Sequence, residues 1–147
     1  MSPAWITKYF TLIQRVKRVT FEIRIMEMEG DISLFLAIEK MMQENLFMHQ
    51  GKLVVKDVDL AAIYGVKVTD LRTKIRENIS RFPSDFMIES SKGEYALTEP
   101  GILMLGGLLR SERARRVHMQ FIEYFVHLLR ENGMSVFDLI KTGKNEL

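Results

Sequence analysis

A glycine between two short amphipathic segments restricts the fold of this chain more than any other feature of its sequence. Gly65 follows a segment that begins at Asp57 and precedes one that is stopped at Pro83. Asp57 can cap the first helix, Gly65 lets the chain turn sharply, and the residue before a proline is pushed out of the helical region. The sequence therefore predicts two helices joined as a helix-turn-helix unit. Their apolar residues recur at helical spacing: Val58, Leu60, Ala61, Ile63 and Tyr64 in the first, and Val68, Leu71, Ile75 and Ile79 in the second.

The sequence predicts four elements before this unit. Helical spacing of apolar residues predicts a helix over residues 3–17, and alternation of apolar and polar residues predicts a strand over 19–26. Short apolar runs on both sides of Gly51 predict a β-hairpin, in which this glycine supplies the positive φ of the turn. Between the strand and the hairpin, Asp31 can cap a helix, whose apolar positions are Ile32, Leu34, Phe35, Ile38, Met41 and Met42.

A second hairpin and two helices are expected after Pro83. Short apolar runs at 86–89 and 95–97 predict the strands of the hairpin. Thr98 and Ser111 are each placed to cap one of the helices that follow.

The two C-terminal helices differ in length and pattern. The first contains Gly106 and Gly107, which either permit close packing or mark a weak point. The second is long and closes at residues 132–133, after which Ser135 can begin a short terminal helix. Its apolar stripe comprises Ala114, Val117, Phe121, Ile122, Phe125, Leu128 and Leu129. These elements predict a small single α+β domain with a helix-turn-helix-like pair, short β-hairpins and a long C-terminal helix.

We expect one core domain with an extension at each end. Residues 30–133 form the domain, 1–29 form an N-terminal extension, and 134–147 form a short tail. The N-terminal extension has two explanations. Translation starts at Met26 or Met28, or the extension is genuine and its helix and strand pack on the domain or mediate self-association.

Composition excludes several classes of protein. The chain of 147 residues has no cysteine, which removes disulfides and thiolate metal sites. Its longest stretch free of charged or strongly polar residues, Gly101–Leu109, is far shorter than the ~20 residues of a membrane-spanning helix. Because no signal peptide is visible either, we expect a cytoplasmic protein without a membrane partner. A formal net charge of +2 does not by itself indicate a nucleic-acid partner.

The sequence contains no pattern typical of catalysis or cofactor binding. The Gly-Lys pair near the carboxyl end lacks the upstream glycine of a phosphate-binding loop. Glu123 and His127 lie one helical turn apart, but two ligands do not make a metal site, and such a pair is typical of a helix surface. We therefore expect no enzyme activity, no small-molecule substrate, no cofactor and no metal.

The outward face of the second helix in the helix-turn-helix unit suits contact with DNA. The arc opposite its apolar residues presents hydroxyls and long cations, which bond bases and phosphates. A solvated polar face is the alternative interpretation, because Asp70 and Glu77 lie on the same arc. Lys74 and Arg81 lie on a flank as candidate phosphate contacts. The candidate groove contacts are Lys67, Thr69, Arg72, Thr73, Arg76 and Ser80.

A second basic cluster stands at the start of the last long helix. Its arginines oppose the helix dipole, whose amino end favours negative charge. One interpretation is that Arg110, Arg113 and Arg116 contact DNA phosphates. The other is that the cluster pairs with the acidic stretch that precedes it, which comprises Asp85, Glu89, Glu94 and Glu99.

Four sequence blocks in order resemble the ORF-six N-terminal domain family, a KilA-N-like module of phages and bacteria. The blocks read D-V-D-L-A-A-I-Y-G-V from Asp57, R-E-N-I-S-R-F-P-S-D-F-M from Arg76, T-E-P-G-I-L-M-L from Thr98 and L-R-S-E-R-A from Leu109. The resemblance covers about Leu46–Arg130. It assigns structural roles in the first helix and turn to Asp59, Leu60, Ala61, Tyr64 and Gly65, and beyond the turn to Leu71, Asn78, Phe82, Pro83 and Phe86.

The resemblance implies a DNA-binding module of a phage-derived or bacterial transcription-regulatory, antirepressor-like protein. Double-stranded DNA would bind to the helix after Gly65. The alternative is a protein-interaction module that binds a repressor or a second copy of itself without contacting DNA. The chain departs from the family pattern at Glu77, where a basic residue is common, and in the short loop between Met87 and Tyr95.

Overall fold

The computed structural model describes residues 28–133 of the chain. The chain divides into two compact units, Met1–Ser33 and Leu34–Leu147. The described part of the first unit, 28–33, is helical.

Some expectations fall outside the described residues. They are the helix over 3–17, the strand over 19–26 and the short helix that begins at Ser135. The division into an extension, a domain and a tail stays a prediction.

The fold is of the α+β class, with the helix-turn-helix-like pair, the short hairpins and the long C-terminal helix that the sequence predicts. The strands form one antiparallel sheet in the order β1-β2-β4-β3. Along the chain the elements are α1 (28–45), β1 (Phe47–His49), β2 (Lys52–Lys56), α2 (Asp57–Tyr64), α3 (Val68–Glu77), a 3-10 turn (Ile79–Arg81), β3 (Met87–Glu89), β4 (Tyr95–Leu97), α4 (Glu99–Leu108) and α5 (Glu112–Glu131).

Both hairpins lie where the alternation of apolar residues predicts them. In the first, Gln50 and Gly51 have φ values of 50° and 77°, and two successive positive values match the right-handed twist of the flanking strands. The sheet continues through β2 and β4, where Val55 pairs with Leu97.

The core lies between the inner face of the sheet and helices α2 to α5, and Ile38, Met41 and Met42 of α1 are buried in it. Tyr64, Leu71, Ile75 and Phe121 are fully buried within it. The half-buried ring of Phe35 on α1 meets the ring of Tyr124 edge to face, with centroids 5.8 Å apart. No helix among residues 28–133 is long and apolar enough to cross a membrane.

Three of the predicted caps do not cap their helices in the structure. Asp31 does not cap α1, because the helix already includes residues 28–30. Asp57 is the first residue of α2 rather than its cap, and its carboxylate turns into the protein. Thr98 occupies the N-cap position of α4, but its hydroxyl donates to the carbonyl oxygen of Asp85 at 2.7 Å. Ser111 caps α5 as predicted, because its Oγ accepts from the Ala114 amide at 3.1 Å.

Five predicted core positions are exposed. Ile79 lies in the 3-10 turn, because α3 ends at Glu77 and the tighter turn carries the next residues away from the buried face. Ile122 and Leu128 lie at the edge of the α5 stripe, and Tyr124 is buried in their place. Ile32 in α1 and Val58 in α2 are also exposed.

Gly106 and Gly107 are neighbours in α4 with opposite surroundings. A Cβ atom at Gly106 would overlap Nδ1 of His118 and lie 2.8 Å from the Tyr64 hydroxyl, so this glycine permits close packing between α4, α5 and α2. A Cβ atom at Gly107 meets nothing within 4 Å. Within the described part of the chain, neither the Tyr64 hydroxyl nor His118 Nδ1 has a hydrogen-bond partner.

Alanine at the two glycines should change stability in opposite directions. We expect Gly106→Ala to lower the free energy of unfolding by about 1–3 kcal/mol, because the added methyl overpacks the contact. We expect Gly107→Ala to raise it by about 0.5–1 kcal/mol, because alanine loses less backbone entropy in a helix. Urea denaturation of both variants measures the difference, and equal effects would contradict the packing described.

The stability of the domain should fall as the solution is acidified through the titration of His118. Burial lowers the pKa of His118 below its ordinary value of about 6.5. The unfolded chain therefore takes up this proton at higher pH than the folded chain, and the free energy of unfolding falls once the pH drops below about 6.5. Thermal melts between pH 8 and pH 5 should show a smaller decline for His118→Gln than for the wild type. The exposed His49→Gln is the control and should keep the wild-type decline.

Candidate nucleic-acid interface

The turn between α2 and α3 is built around Gly65. This residue has a φ of 69°, in the left-handed region that glycine adopts without a steric penalty. Its amide donates to the Ala62 carbonyl at 3.3 Å, and the Val66 amide donates to the Ala61 carbonyl at 3.1 Å. These bonds end α2 and direct the chain into α3.

One face of helix α3 packs against the core, and the opposite face is exposed to solvent. Leu71 and Ile75 are fully buried, whereas Thr69, Thr73 and Arg76 are exposed. The spacing of these residues around a helix places the two sets on opposite sides. The two predicted helices, the turn at Gly65 and the amphipathic character of α3 are therefore present.

The exposed side chains of α3 are ordered by bonds among themselves. The Thr73 hydroxyl donates to the Thr69 carbonyl at 2.9 Å and accepts from Arg76 Nη2 at 3.1 Å. Arg76 also lies beside the hydroxyl of Tyr95. Burial raises the pKa of Tyr95, and the Arg76 cation opposes that rise. Arg76 is thus held at the boundary between the helix face and strand β4.

Arg72 has a different environment from Arg76, although it lies one helical turn before it. Its Nε donates to Asp57 Oδ2 at 2.6 Å, and its Nη2 donates to Asp57 Oδ1 at 3.2 Å. The Tyr95 amide donates to the same Oδ2 at 2.9 Å. The hydrogen bond to Asp57 raises the pKa of Arg72. Arg72 is therefore committed to an internal partner, and its side chain is only 21% exposed.

The other candidate contacts from the helix-turn-helix region surround α3. Lys67, Ser80 and Arg81 are exposed, and Lys74 is half-buried. A groove of about 500 Å³, here called the helix groove, runs along one flank of α3. Its lining includes Lys67, Thr73, Lys74 and Leu109, but also Asp70 and Glu77. The structure thus brings Lys67, Thr73 and Lys74 together beside acidic neighbours.

The candidate phosphate contacts at the start of α5, Arg110, Arg113 and Arg116, are all exposed. The Arg113 side chain reaches back to α2, where its Nη2 donates to the Ile63 carbonyl at 3.1 Å. The acidic stretch was the alternative partner of this basic cluster. One of its residues, Asp85, lies 3.7 Å from Lys52 Nζ.

A second concavity, the sheet groove, lies over the sheet beside Arg72 and has a volume of about 580 Å³. It combines an apolar floor with the exposed acids of the β3-β4 hairpin, and its lining includes Phe47, Lys56, Ile88, Glu89, Glu94 and Ala96. Among residues 28–133, no group of three or more His, Asp or Glu side chains is placed to hold a metal ion. His127 pairs with Glu131 at 2.9 Å rather than with Glu123.

Sequence reasoning missed the role of Asp57. A carboxylate just before a helix is ordinarily interpreted as a cap, and its distant partners, Arg72 and the Tyr95 amide, are visible only in the fold. The sequence offered one signal. Asp57 and Asp59 are two acids at the start of one helix, and capping that helix needs only one of them. Among the residues with structural roles in the resemblance, Tyr64, Leu71 and Phe82 are buried, whereas Pro83 is exposed. The Asn78 side chain donates to the Lys74 carbonyl at 2.9 Å.

Asp57→Asn should destabilise the domain far more than the same change at Asp59. Asp57 is 1% exposed, so its neutralisation leaves Arg72 without a charged partner and should cost about 3 kcal/mol. Asp59→Asn removes only a favourable interaction with the helix dipole, which contributes less than about 1 kcal/mol. Equilibrium unfolding in urea measures both. Similar losses would show that the buried pair does not hold the unit together.

Comparison with known proteins gives one family. The model of the ORF6N domain matches residues 44–137, an interval that includes every element described from β1 to α5. No curated protein and no solved structure matches the chain. The matched interval contains the four sequence blocks and the helix-turn-helix unit, and it is consistent with a phage-related regulatory domain. The chain belongs to the ORF6N domain family.

Proposed function

We propose that this domain binds double-stranded DNA by placing the exposed face of α3 in the major groove. The observation that carries the proposal is that one face of α3 is buried and the opposite face is exposed. Its buried Leu71 and Ile75 fix the helix to the core, and its exposed Thr69, Thr73 and Arg76 form a hydrated, hydrogen-bonding surface. A helix held in this way is suited to enter the groove without disturbing the core.

The chemistry of the exposed face suits base recognition. An arginine can donate two hydrogen bonds to O6 and N7 of guanine, and threonine hydroxyls can bond bases or phosphates. In the free protein, Arg76 already donates to Thr73, which limits the freedom that the guanidinium loses on binding. Arg76 is therefore the residue that we assign to direct base contact.

The remaining cations surround this face and would contact phosphates. We assign Thr69 to the groove edge, with Ser80 beyond the carboxyl end of α3. Five phosphate contacts are then assigned: Lys67 at the turn and Lys74, Arg81, Arg110 and Arg116 around it. Arg72 and Arg113 are left out, because Arg72 pairs with the buried carboxylate of Asp57 and Arg113 lies over the α2-α3 turn and donates to the Ile63 carbonyl.

The biological context that fits this activity is phage-derived or bacterial transcription regulation, including an antirepressor-like role, in the cytoplasm. We propose a binding function without catalysis or a cofactor. The family supports the regulatory context, and the geometry of α3 supports the contact with DNA.

A protein partner is the second candidate, and the acidic residues of the exposed face favour it. Asp70 and Glu77 are exposed on α3 and line the helix groove together with Lys67 and Lys74. This mixed charge suits a repressor protein or a second copy of the chain. It would weaken the attraction of a duplex at this flank.

Arg76→Ala should weaken binding to a preferred duplex by about 1–3 kcal/mol and relax the preference at one base-pair position. Lys40→Ala is the control, because Lys40 is an exposed cation on α1 that pairs with Glu44, and it should bind like the wild type. Fluorescence anisotropy with a selected duplex and its single-base variants measures both effects.

Salt dependence separates a base contact from a phosphate contact in the same experiment. With about five phosphates neutralised, log K should fall with log salt at a slope of about −4 to −5 for the wild type. Arg76→Ala should keep that slope. Uniform weakening on all duplexes, with a slope shallower by about one, would make Arg76 a phosphate contact instead. Affinity that does not depend on salt would contradict DNA binding and favour the protein partner.

A further inference from the structure

The last turn of α2 leaves one carbonyl that a residue of α5 satisfies. The Ala61 and Ala62 carbonyls accept from the amides of Val66 and Gly65. The Ile63 carbonyl accepts from Nη2 of Arg113, fifty residues further along the chain. Helix α2 has no basic residue in its own last turn, so Arg113 supplies the cation that the negative end of a helix favours.

Arg113 also lies directly over the turn. Its Cδ and Nε are both 2.7 Å from the point at which a Cβ atom of residue 65 would stand. The positive φ requires glycine at position 65, and a Cβ atom there would also displace the Arg113 side chain from its place over the turn.

The position of Arg113 in α5 makes this contact informative. It lies in the first turn of that helix, where a cation is disfavoured by the dipole. The same guanidinium is favoured at the carboxyl end of α2. The unfavourable placement in one helix is thus offset by a favourable placement in the other.

We propose that Arg113 is a positioning residue that holds the α2-α3 turn, and with it the direction of α3, rather than a phosphate contact. The consequence for binding rests on the proposed function. Arg113 acts on DNA through Gly65 and the start of α3, whereas Arg110 in the same cluster acts on a phosphate directly.

Three variants test this assignment on the full chain: Arg113→Ala, Arg113→Lys and the matched control Arg110→Ala. Amide hydrogen exchange without DNA is the first measurement. We expect exchange of the Gly65 and Val66 amides to be severalfold faster in both Arg113 variants and unchanged in Arg110→Ala. Lysine should not substitute, because a point charge cannot lie across the turn and also reach the Ile63 carbonyl as the planar guanidinium does.

Affinity for a duplex at several salt concentrations is the second measurement. Both Arg113 variants should bind at least tenfold more weakly with the wild-type salt slope, and Arg110→Ala should bind a few-fold more weakly with a slope shallower by about one.

The assignment is overturned if Arg113→Lys binds like the wild type while Arg113→Ala has the shallower slope, or if exchange at Gly65 and Val66 is unchanged in both. If the wild type binds no duplex, the proposed function fails, and the exchange experiment alone decides the role of Arg113. If Arg113→Ala does not fold, Arg113→Lys carries both measurements.

Discussion

The buried carboxylate of Asp57 joins helix α2, helix α3 and strand β4, and the orientation of α3 depends on it. A carboxylate removed from water is costly unless its oxygens are bonded. Here two donors of Arg72 and the Tyr95 amide satisfy them. Because Arg72 lies on one flank of α3, this bond and the buried Leu71 and Ile75 together fix which face of the helix is turned outward.

Two arginines therefore hold the helix-turn-helix unit in place. Arg72 fixes the side of α3, and Arg113 covers the turn that leads into it. Arg76, one turn after Arg72, lies on the outward face with Thr73 as its partner. Similar side chains thus take opposite roles, since burial and partners, not residue type, determine whether a cation is available to a ligand.

The local features of this fold could be predicted from sequence because short-range physics determines them. Gly65 and Gly51 have the positive φ values that their turns require, and helical spacing identified Leu71 and Ile75 as buried. The candidate face of α3 was predictable for the same reason. The bond from Arg113 to α2 could not be predicted, because it joins residues far apart in sequence. The exposure of Ile79 could not be predicted either, because the point at which α3 ends depends on packing.

Mapping the surface that contacts a duplex tests the central claim most directly, which is that the outward face of α3 is the binding surface. Backbone amide chemical shifts of the labelled protein would be followed during titration with a mixed set of short duplexes at low salt. We expect the largest changes at Thr69, Thr73 and Arg76, with smaller changes at Lys67 and Arg110. Changes confined to the sheet groove around Phe47 and Glu94, or no changes at all, would contradict the account.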